Sequence, residues 1–338
     1  MTLSRPKPIV PLLNIPFLAY QLDLLRQHGV TEVVLSCSYM VDEVRHTMGD
    51  GSGWGVRLRY AVETEPLGTA GGVRNALDLL PPSGLVAVLN GDVLTDADLS
   101  AMLRFHSERR ASATIYLTRV SDPTQYGVVD IASDGRILRF VEKPPPGQAT
   151  ADTVNAGIYL LDSSLISRIP GDRMVSIERE FFPGLLADRI PFYGWVGDYY
   201  WLDIGNPAKY LQGQVDLLAG KLASGLTPAA AGGRAIAADV MVPPTATITG
   251  PCVIGAGTRL GAGCRVGPDV VLGAGCVVGP GASIERAMLW ERVQVGDRAV
   301  LRECIVASGA RIGDRAEVGP DVMLEADAVV PPGTRPGG

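Results

Sequence analysis

From Ile248 onward every sixth residue is aliphatic: Ile248, Ile254, Leu260, Val266, Leu272, Val278 and Ile284 keep an unbroken count. Glycine follows the aliphatic residue at Gly255, Gly261, Gly267, Gly273 and Gly279. A period of six fits neither the helical repeat nor plain strand alternation. It predicts a left-handed parallel β-helix, in which each six residues form one flat face of a triangular coil. The aliphatic side chain points into the prism, and glycine takes corner backbone angles that a side chain would penalise. The count shortens by one twice, giving Leu289, Val295, Leu301 and then Val306, Ile312, Val318, Leu324, Val330. These faces amount to about five three-sided coils. A disordered Gly-rich tract would not hold aliphatic residues in phase over such a length.

Upstream, helical and strand patterns alternate. Ile15 to His28 predicts an amphipathic helix with Phe17, Leu18, Leu22 and Leu25 on one side, closed by Gly29. Glu32 to Ser36 reads as a strand, Met40 to Met48 as a helix, Val56 to Val62 as extended and Ala70 to Leu80 as a helix. Leu85 to Leu89 is a short apolar strand that ends in Asn90-Gly91-Asp92. Asp98 to Arg109 is helical, Ala113 to Val120 a strand, and Val128–Ile131 with Ile137–Val141 a hairpin around Asp134-Gly135. The rhythm predicts a doubly wound, Rossmann-like α/β domain whose mixed sheet is mostly parallel. A last helix near Pro207–Leu222 runs into the Ala/Gly/Pro-rich stretch Ala223 to Pro244. The expected organisation is therefore a sheet domain over 1–222, a linker over 223–244 and the β-helix over 245–338.

Composition narrows the function classes. A chain of 338 residues with 46% hydrophobic content is ample for two packed cores. Its net charge of −6 argues against a nucleic-acid partner, which calls for a surplus of Lys and Arg on one face. No apolar run reaches the roughly 18 residues of a membrane span, and no secretory leader pattern opens the chain, so the expected address is the cytoplasm. Cys252, Cys264 and Cys276 each stand two residues before an inward aliphatic, in a slot that Thr258, Val270 and Ala282 share. Their spacing puts them on different faces, as small buried residues and not as a zinc site or a disulfide framework. The three histidines, His28, His46 and His106, all precede the repeats. A histidine-based acyltransferase and a His-ligated zinc enzyme are both excluded for the solenoid.

Ligands of open α/β sheets sit beyond the carboxyl ends of the strands, where Asp92 follows an apolar strand and a glycine. A turn-forming or helix-capping aspartate has the same signature. Asp203, in Trp201-Leu202-Asp203-Ile204-Gly205, is flanked by apolar residues. Such a carboxylate is expected to be paired or metal-bound, because an unpaired buried charge is costly. Two carboxylates at a sheet edge can hold one Mg²⁺ against phosphate oxygens. Leu67-Gly68-Thr69-Ala70-Gly71-Gly72 precedes a helix, and its small residues would let a base or phosphate approach the backbone. Arg5-Pro6-Lys7-Pro8 and Glu142-Lys143-Pro144 each present a cation on a Pro-stiffened segment.

Taken in order, these segments resemble the sugar-nucleotide pyrophosphorylases, most closely the mannose-1-phosphate guanylyltransferase branch. The resemblance rests on Ser4-Arg5-Pro6-Lys7-Pro8, Pro11-Leu12-Leu13-Asn14, Glu65-Pro66-Leu67-Gly68-Thr69-Ala70-Gly71 and Asn90-Gly91-Asp92. Tyr126-Gly127-Val128-Val129, Phe140-Val141-Glu142-Lys143-Pro144, Asn155-Ala156-Gly157-Ile158-Tyr159 and Trp201-Leu202-Asp203-Ile204-Gly205 complete it. It implies transfer of a nucleotidyl group from an NTP, GTP favoured, to a sugar 1-phosphate, mannose 1-phosphate favoured, with release of pyrophosphate. It also implies Mg²⁺ on Asp92 and Asp203, Lys143 on the sugar phosphate and Lys7 near the reacting phosphates. Gly68, Thr69 and Gly71 would then line the base pocket, and Gly127, Glu142, Asn155 and Gly157 would surround the sugar.

The family opens with a buried strand and a loop of the form Gly-x-Gly-Thr-Arg-Leu-Arg-Pro, and Met1-Thr2-Leu3-Ser4 stands just downstream of the matching place. The expectation is a start site placed too late, with activity dependent on the strand and loop encoded upstream in frame. Two other readings go with the resemblance: a glucose-1-phosphate thymidylyl- or adenylyltransferase, and a non-catalytic regulatory subunit that binds a sugar nucleotide. The flat faces and coil ends of the solenoid predict a homo-oligomer.

Overall fold

The computed structural model describes residues 5–81, 83–227 and 233–336. Met1–Ser4, where the shortened opening was expected, and residues 228–232 of the expected linker lie outside the described residues. The chain forms two compact units, one of Gln21–Trp201 and one that joins Met1–Tyr20 to Leu202–Gly338. The boundaries read from composition differ from this division, because the first twenty residues group with the solenoid.

The first unit carries β1 (Glu32–Cys37), β2 (Arg57–Val62), β3 (Leu85–Leu89), β4 (Ala113–Arg119), β5 (Gly127–Ile131), β6 (Ile137–Glu142), β7 (Thr153–Asp162) and β8 (Phe192–Val196). Six of them form one sheet in the order β8-β4-β7-β5-β6, with β3 also on β7. The pairing corrects the expectation of a mostly parallel sheet. Only β8 and β4 run parallel in it, while β7 is antiparallel to β3, β4 and β5, and β5 to β6. The sequence reading missed β7 because Asn155-Ala156-Gly157 interrupts an otherwise continuous apolar run. That interruption is a β-bulge: Asn155 pairs with Leu117 and Tyr159 with Ile115, so four steps on β7 oppose two on β4. One face of the sheet packs on Phe182, whose ring lies 5.1–5.9 Å from those of Tyr159, Phe192, Phe140 and Phe181. β1 and β2 pair in parallel, and among the described residues no ladder joins them to the larger sheet.

β7 is forked. Its whole length lies along β4, but its other edge is shared: Val154 faces Val128 of β5, and Ile158 to Asp162 face Leu89 to Leu85 of β3. The carboxyl end of β3 and the start of β5 therefore flank the bulge.

In the second unit the six-residue period becomes three parallel sheets of six, five and five strands. Partners on one face are 18 residues apart at Cys252/Val270 and Ile305/Met323, but 17 apart at Val271/Met288 and Met288/Ile305. Each shortening of the count is thus a coil one residue short, and both fall at the same corner. Three residues turn that corner at Gly267-Pro268-Asp269 and Gly319-Pro320-Asp321, but two do so at Glu285-Arg286 and Arg302-Glu303. Arg286 and Glu303 turn it in the left-handed region, at φ 45° and 49°. The inward stack is undisturbed, with Leu272 on Leu289 and Leu289 on Val306. Cys252, Cys264 and Cys276 are buried and free, on three different faces as the spacing requires. The ladder begins earlier than the expected residue 245: Arg234–Ile236 already pairs with Cys252–Ile254. Its Ala- and Gly-rich neighbourhood hid this first strand.

Outward positions separate the faces. Two carry exposed polar residues, Thr247, Arg265 and Glu317 on one and Arg259, Gln294 and Arg311 on the other, the second column ending in the exposed Val329. The third has Val253, Val271, Met288 and Ile305 in the outward slot, all buried. The chain's opening segment is tied to this face. Its hairpin Pro11–Leu12/Ile15–Pro16 turns through Leu13 and Asn14, both left-handed. Asn14 Nδ2 donates to the Leu272 carbonyl at 2.8 Å, and the Leu13 amide donates to Gln214 Oε1 at 3.0 Å on the helix Pro207–Leu218. Tyr210 on the same helix donates its hydroxyl to the Pro11 carbonyl.

Candidate active site

The fork brings together residues that are far apart in the chain. The Asn90 amide donates to the Gly157 carbonyl at 2.8 Å, which joins the end of β3 to the bulge. Gly157 stands at φ 76°, and a Cβ there would come within 3.0 Å of Asn90 and Val93, so glycine is needed for this closure. Asn155 Oδ1 accepts from the Gly157 amide at 3.0 Å, and its Nδ2 donates to the Tyr159 hydroxyl at 3.0 Å. Trp201 Nε1 donates to the Ala156 carbonyl at 2.9 Å and its ring lies edge-on to Tyr126 at 5.2 Å. The bulge is thereby fixed from both sides.

Asp92 is half-buried, in the turn that leaves β3. Gln21 holds that turn: its Nε2 donates to the Asn90 carbonyl at 2.8 Å and to the Val93 carbonyl at 2.9 Å. On the other side of the fork Gly127 pairs with Glu142. Glu142 Oε2 lies 2.8 Å from the place a Gly127 Cβ would take, so the missing side chain makes room for the carboxylate. Burial, then the neighbouring charge of Glu178, raises the Glu142 carboxyl above its ordinary range; Lys143 and Arg179 oppose the shift. Lys143 is exposed and left-handed at φ 47°, and its amide donates to the Tyr126 carbonyl at 3.0 Å.

Gly68, Thr69 and Gly71 open the helix Gly68–Ala76. Gly68 also has a packing reason to be small: a Cβ there would meet the Val175 carbonyl at 2.7 Å. The amides of Ala70 and Gly71 also donate to that carbonyl, at 3.0 and 3.4 Å. Protein backbone therefore uses the helix start that was expected to favour an anion. Thr69 Oγ1 donates to Glu178 Oε2 at 3.1 Å and accepts from the Ile177 amide at 2.8 Å. Glu178 thus links this loop to the charge environment of Glu142.

Lys7 and Asp203 belong to the other unit. Lys7 is half-buried and begins the short 3-10 turn Lys7–Ile9. Asp203 is paired: Lys209 Nζ lies 2.9 Å from Oδ2, and Oδ1 lies 2.7 Å from where a Gly205 Cβ would be. Asn206 and Pro207 start the helix that carries the lysine, with Asn206 Oδ1 accepting from the Lys209 amide at 2.9 Å. Of the two readings open for Asp203, a paired carboxylate is what its own unit contains. The donor chemistry of Asp92 and Asp203, half-buried carboxylate oxygens, fits a hard divalent cation. Among the described residues no group of three or more His, Cys, Asp or Glu side chains could hold a metal.

Three contributors were missed from the sequence. Gln21 had a signal, since it lies on the apolar side of its helix between Phe17 and Leu25. Glu178 and Lys209 had none, because each acts through a partner distant in the chain or across a turn.

The nucleotidyl transferase family profile matches residues 1–220. The chain belongs to that family. A second profile, the LbH domain of EIF2B subunit epsilon, matches 234–335, in keeping with the left-handed β-helix and with its early start. Mannose-1-phosphate guanylyltransferase of Mycobacterium tuberculosis is 39% identical over 266 residues, 78% of this chain and 73% of that protein. Mannose-1-phosphate guanylyltransferase 1 of Arabidopsis thaliana is 36% identical over 98% of this chain and 88% of its own length. Among solved structures, HddC from Yersinia pseudotuberculosis superposes with a TM-score of 0.56 at 28% identity, over 63% of this chain and 91% of that one. This member of the nucleotidyl transferase family is thus a sugar-1-phosphate nucleotidyltransferase with mannose-1-phosphate guanylyltransferases among its relatives. No helix among its described residues is long and apolar enough to cross a membrane.

Proposed function

We propose that the chain transfers GMP from GTP to mannose 1-phosphate, releasing pyrophosphate, as a cytoplasmic enzyme. The fork carries the reading: a half-buried aspartate beside a bulge and a Glu-Lys pair, in a member of this family. The names of the relatives described above support the choice of base and sugar. An oxygen of the sugar phosphate attacks the α-phosphorus; the bond from that phosphorus to the β-bridging oxygen breaks, and pyrophosphate leaves. The protein's work is positioning and charge neutralisation.

Lys143 would bind the sugar phosphate, while Glu142 and Asn155 would take hydroxyls of the sugar, with Gly127 and Gly157 leaving the space. Gly68, Thr69 and Gly71 would border the base, and Lys7 would offset charge on the reacting phosphates. Asp92 is the carboxylate we assign to Mg²⁺, and Asp203 is assigned to it by family resemblance. When bound, Mg²⁺ neutralises the α-phosphate and acts as a Lewis acid. The exposed polar faces of the solenoid are the proposed sites of homo-oligomer pairing, to be checked by analytical ultracentrifugation.

The deciding measurement is pyrophosphate release with each of the four NTPs, paired in turn with mannose 1-phosphate and glucose 1-phosphate. Turnover is expected to be highest with GTP and mannose 1-phosphate. A preference for another base would replace the guanylyl assignment, and turnover with none would leave a sugar-nucleotide-binding subunit in its place.

A further inference from the structure

One corner of the solenoid breaks its own pattern. At this corner Gly255 and Gly273 follow Ile254 and Leu272, Ala307 and Glu325 follow Val306 and Leu324, and Trp290, the one aromatic residue in the series, follows Leu289. Trp290 is 2% exposed, and its Nε1 lies 3.4 Å from Met288 Sδ. The indole forms the floor for Arg5, whose guanidinium carbon sits 4.8 Å from the ring centroid. Arg5 Nη1 and Nη2 donate to Glu291 Oε1 and Oε2 at 3.2 and 3.0 Å, a two-point pairing. Ser308, from the next coil, donates its hydroxyl to Glu291 Oε2 at 2.6 Å and accepts from Arg5 Nη2 at 3.5 Å. Burial would raise the Glu291 carboxyl, but hydrogen bonds from Arg5 and Ser308 outweigh it and hold the group below its usual range. Coil stacking alone does not call for an aromatic floor and a carboxylate at this corner.

Arg5, the occupant of the corner, matters because Lys7 lies two residues beyond it. Pro6 and Pro8 stiffen both sides of Lys7, so its backbone is fixed by its ends. One end is Arg5 on this corner; the other is the Pro11–Asn14 turn on Tyr210, Gln214 and Leu272. We infer that the Trp290–Glu291 corner is a positioning seat for Lys7, so that the solenoid takes part in nucleotidyl transfer by holding the segment that carries this lysine. Glu291 and Trp290 are positioning residues. The functional half of this inference rests on the role proposed for Lys7 above.

The test is Glu291→Ala made in the full chain and again in a Lys7→Ala background, with kcat and KM from pyrophosphate release and amide exchange over Ile9–Leu13. In the chain with Lys7 the expected result is a kcat loss of about ten- to a hundredfold, the size of a small misplacement of a reacting group. KM should change little, and exchange at Val10 and Leu12 should rise. In the Lys7→Ala background Glu291→Ala should have no further effect on kcat. Equal losses in both backgrounds would overturn the inference, as would unchanged exchange. If the parent chain turns over no NTP, the nucleotidyl-transfer reading falls. The exchange of Ile9–Leu13 then still decides whether the corner holds the segment.

Discussion

The fork in β7 and the Trp290 corner place the candidate side chains by opposite means. At the fork a sheet loses its regularity: one long strand sheds a partner, bulges and takes up another, with Asn90 held to Gly157 on one side and Gly127 paired with Glu142 on the other. At the corner regularity is kept, and one coil places tryptophan where its neighbours carry Gly273 and Ala307. The first arrangement is built from non-local pairings, each needed by the rest. The second sits on a stack in which each coil meets only its neighbours, so damage elsewhere should be tolerated.

That contrast can be broken most directly at Asp92. Asp92→Asn is expected to reduce pyrophosphate release by about three orders of magnitude, as for loss of a charge-stabilising group in an active site. The thermal melt should be nearly unchanged. A loss below tenfold would remove Asp92 from the site.

Core truncations compare positions within the solenoid. Leu289→Ala and Val318→Ala should each lower stability in urea by about 2–4 kcal/mol, because both inward side chains are buried and leave cavities. Only Leu289→Ala, next to Trp290, should also lower kcat. Equal activity loss from both would mean that the solenoid acts as a whole and not through one corner.

Gly157→Ala adds a Cβ at φ 76° against Asn90. It should cost about 1–3 kcal/mol of stability and raise KM for the sugar 1-phosphate, as read by urea melts and steady-state kinetics. The smallest effect is expected at Glu142. Its folded carboxyl is raised above the unfolded value by burial and by Glu178, so stability from this group is present at low pH and is lost as pH rises through the folded value. Glu142→Gln should flatten that decline across the acidic range and slightly raise the melting temperature at neutral pH, while weakening sugar binding. A pH–stability curve identical to that of the parent would show that Glu142 does not titrate in this way.

The legible parts of the molecule were those with short-range periodicity. The inward column of the solenoid, its two short coils and the scattering of Cys252, Cys264 and Cys276 could be read from spacing because each inward residue repeats the chemistry of its neighbours. Most helices, and β3 and β4, were also legible. β7 was not, because its bulge carries a glycine and an asparagine, the residues that ordinarily mark a turn. The antiparallel sense of the sheet was lost with it. The first solenoid strand, Arg234–Ile236, lay in a composition that reads as linker. In the site, residue types were readable and relations were not. Asp203 announced a partner but not Lys209, and Gly68 gave no sign that the Val175 carbonyl packs against it. Arg5 gave no sign of its partner Glu291, which is 286 residues away.

The corner turned by Gly267-Pro268-Asp269, Glu285-Arg286, Arg302-Glu303 and Gly319-Pro320-Asp321 contains one more lesson. Within one molecule the same bend is made at two lengths, and the coils above and below still stack residue on residue. Successive turns also bond to each other whatever their length: Arg286 donates its amide to the Pro268 carbonyl at 2.9 Å, and Asp321 to that of Glu303 at 2.9 Å. This edge is therefore a natural insertion and deletion series. It marks the place where a protein engineer can lengthen or shorten the chain by single residues, or graft a loop, without disturbing the prism behind it.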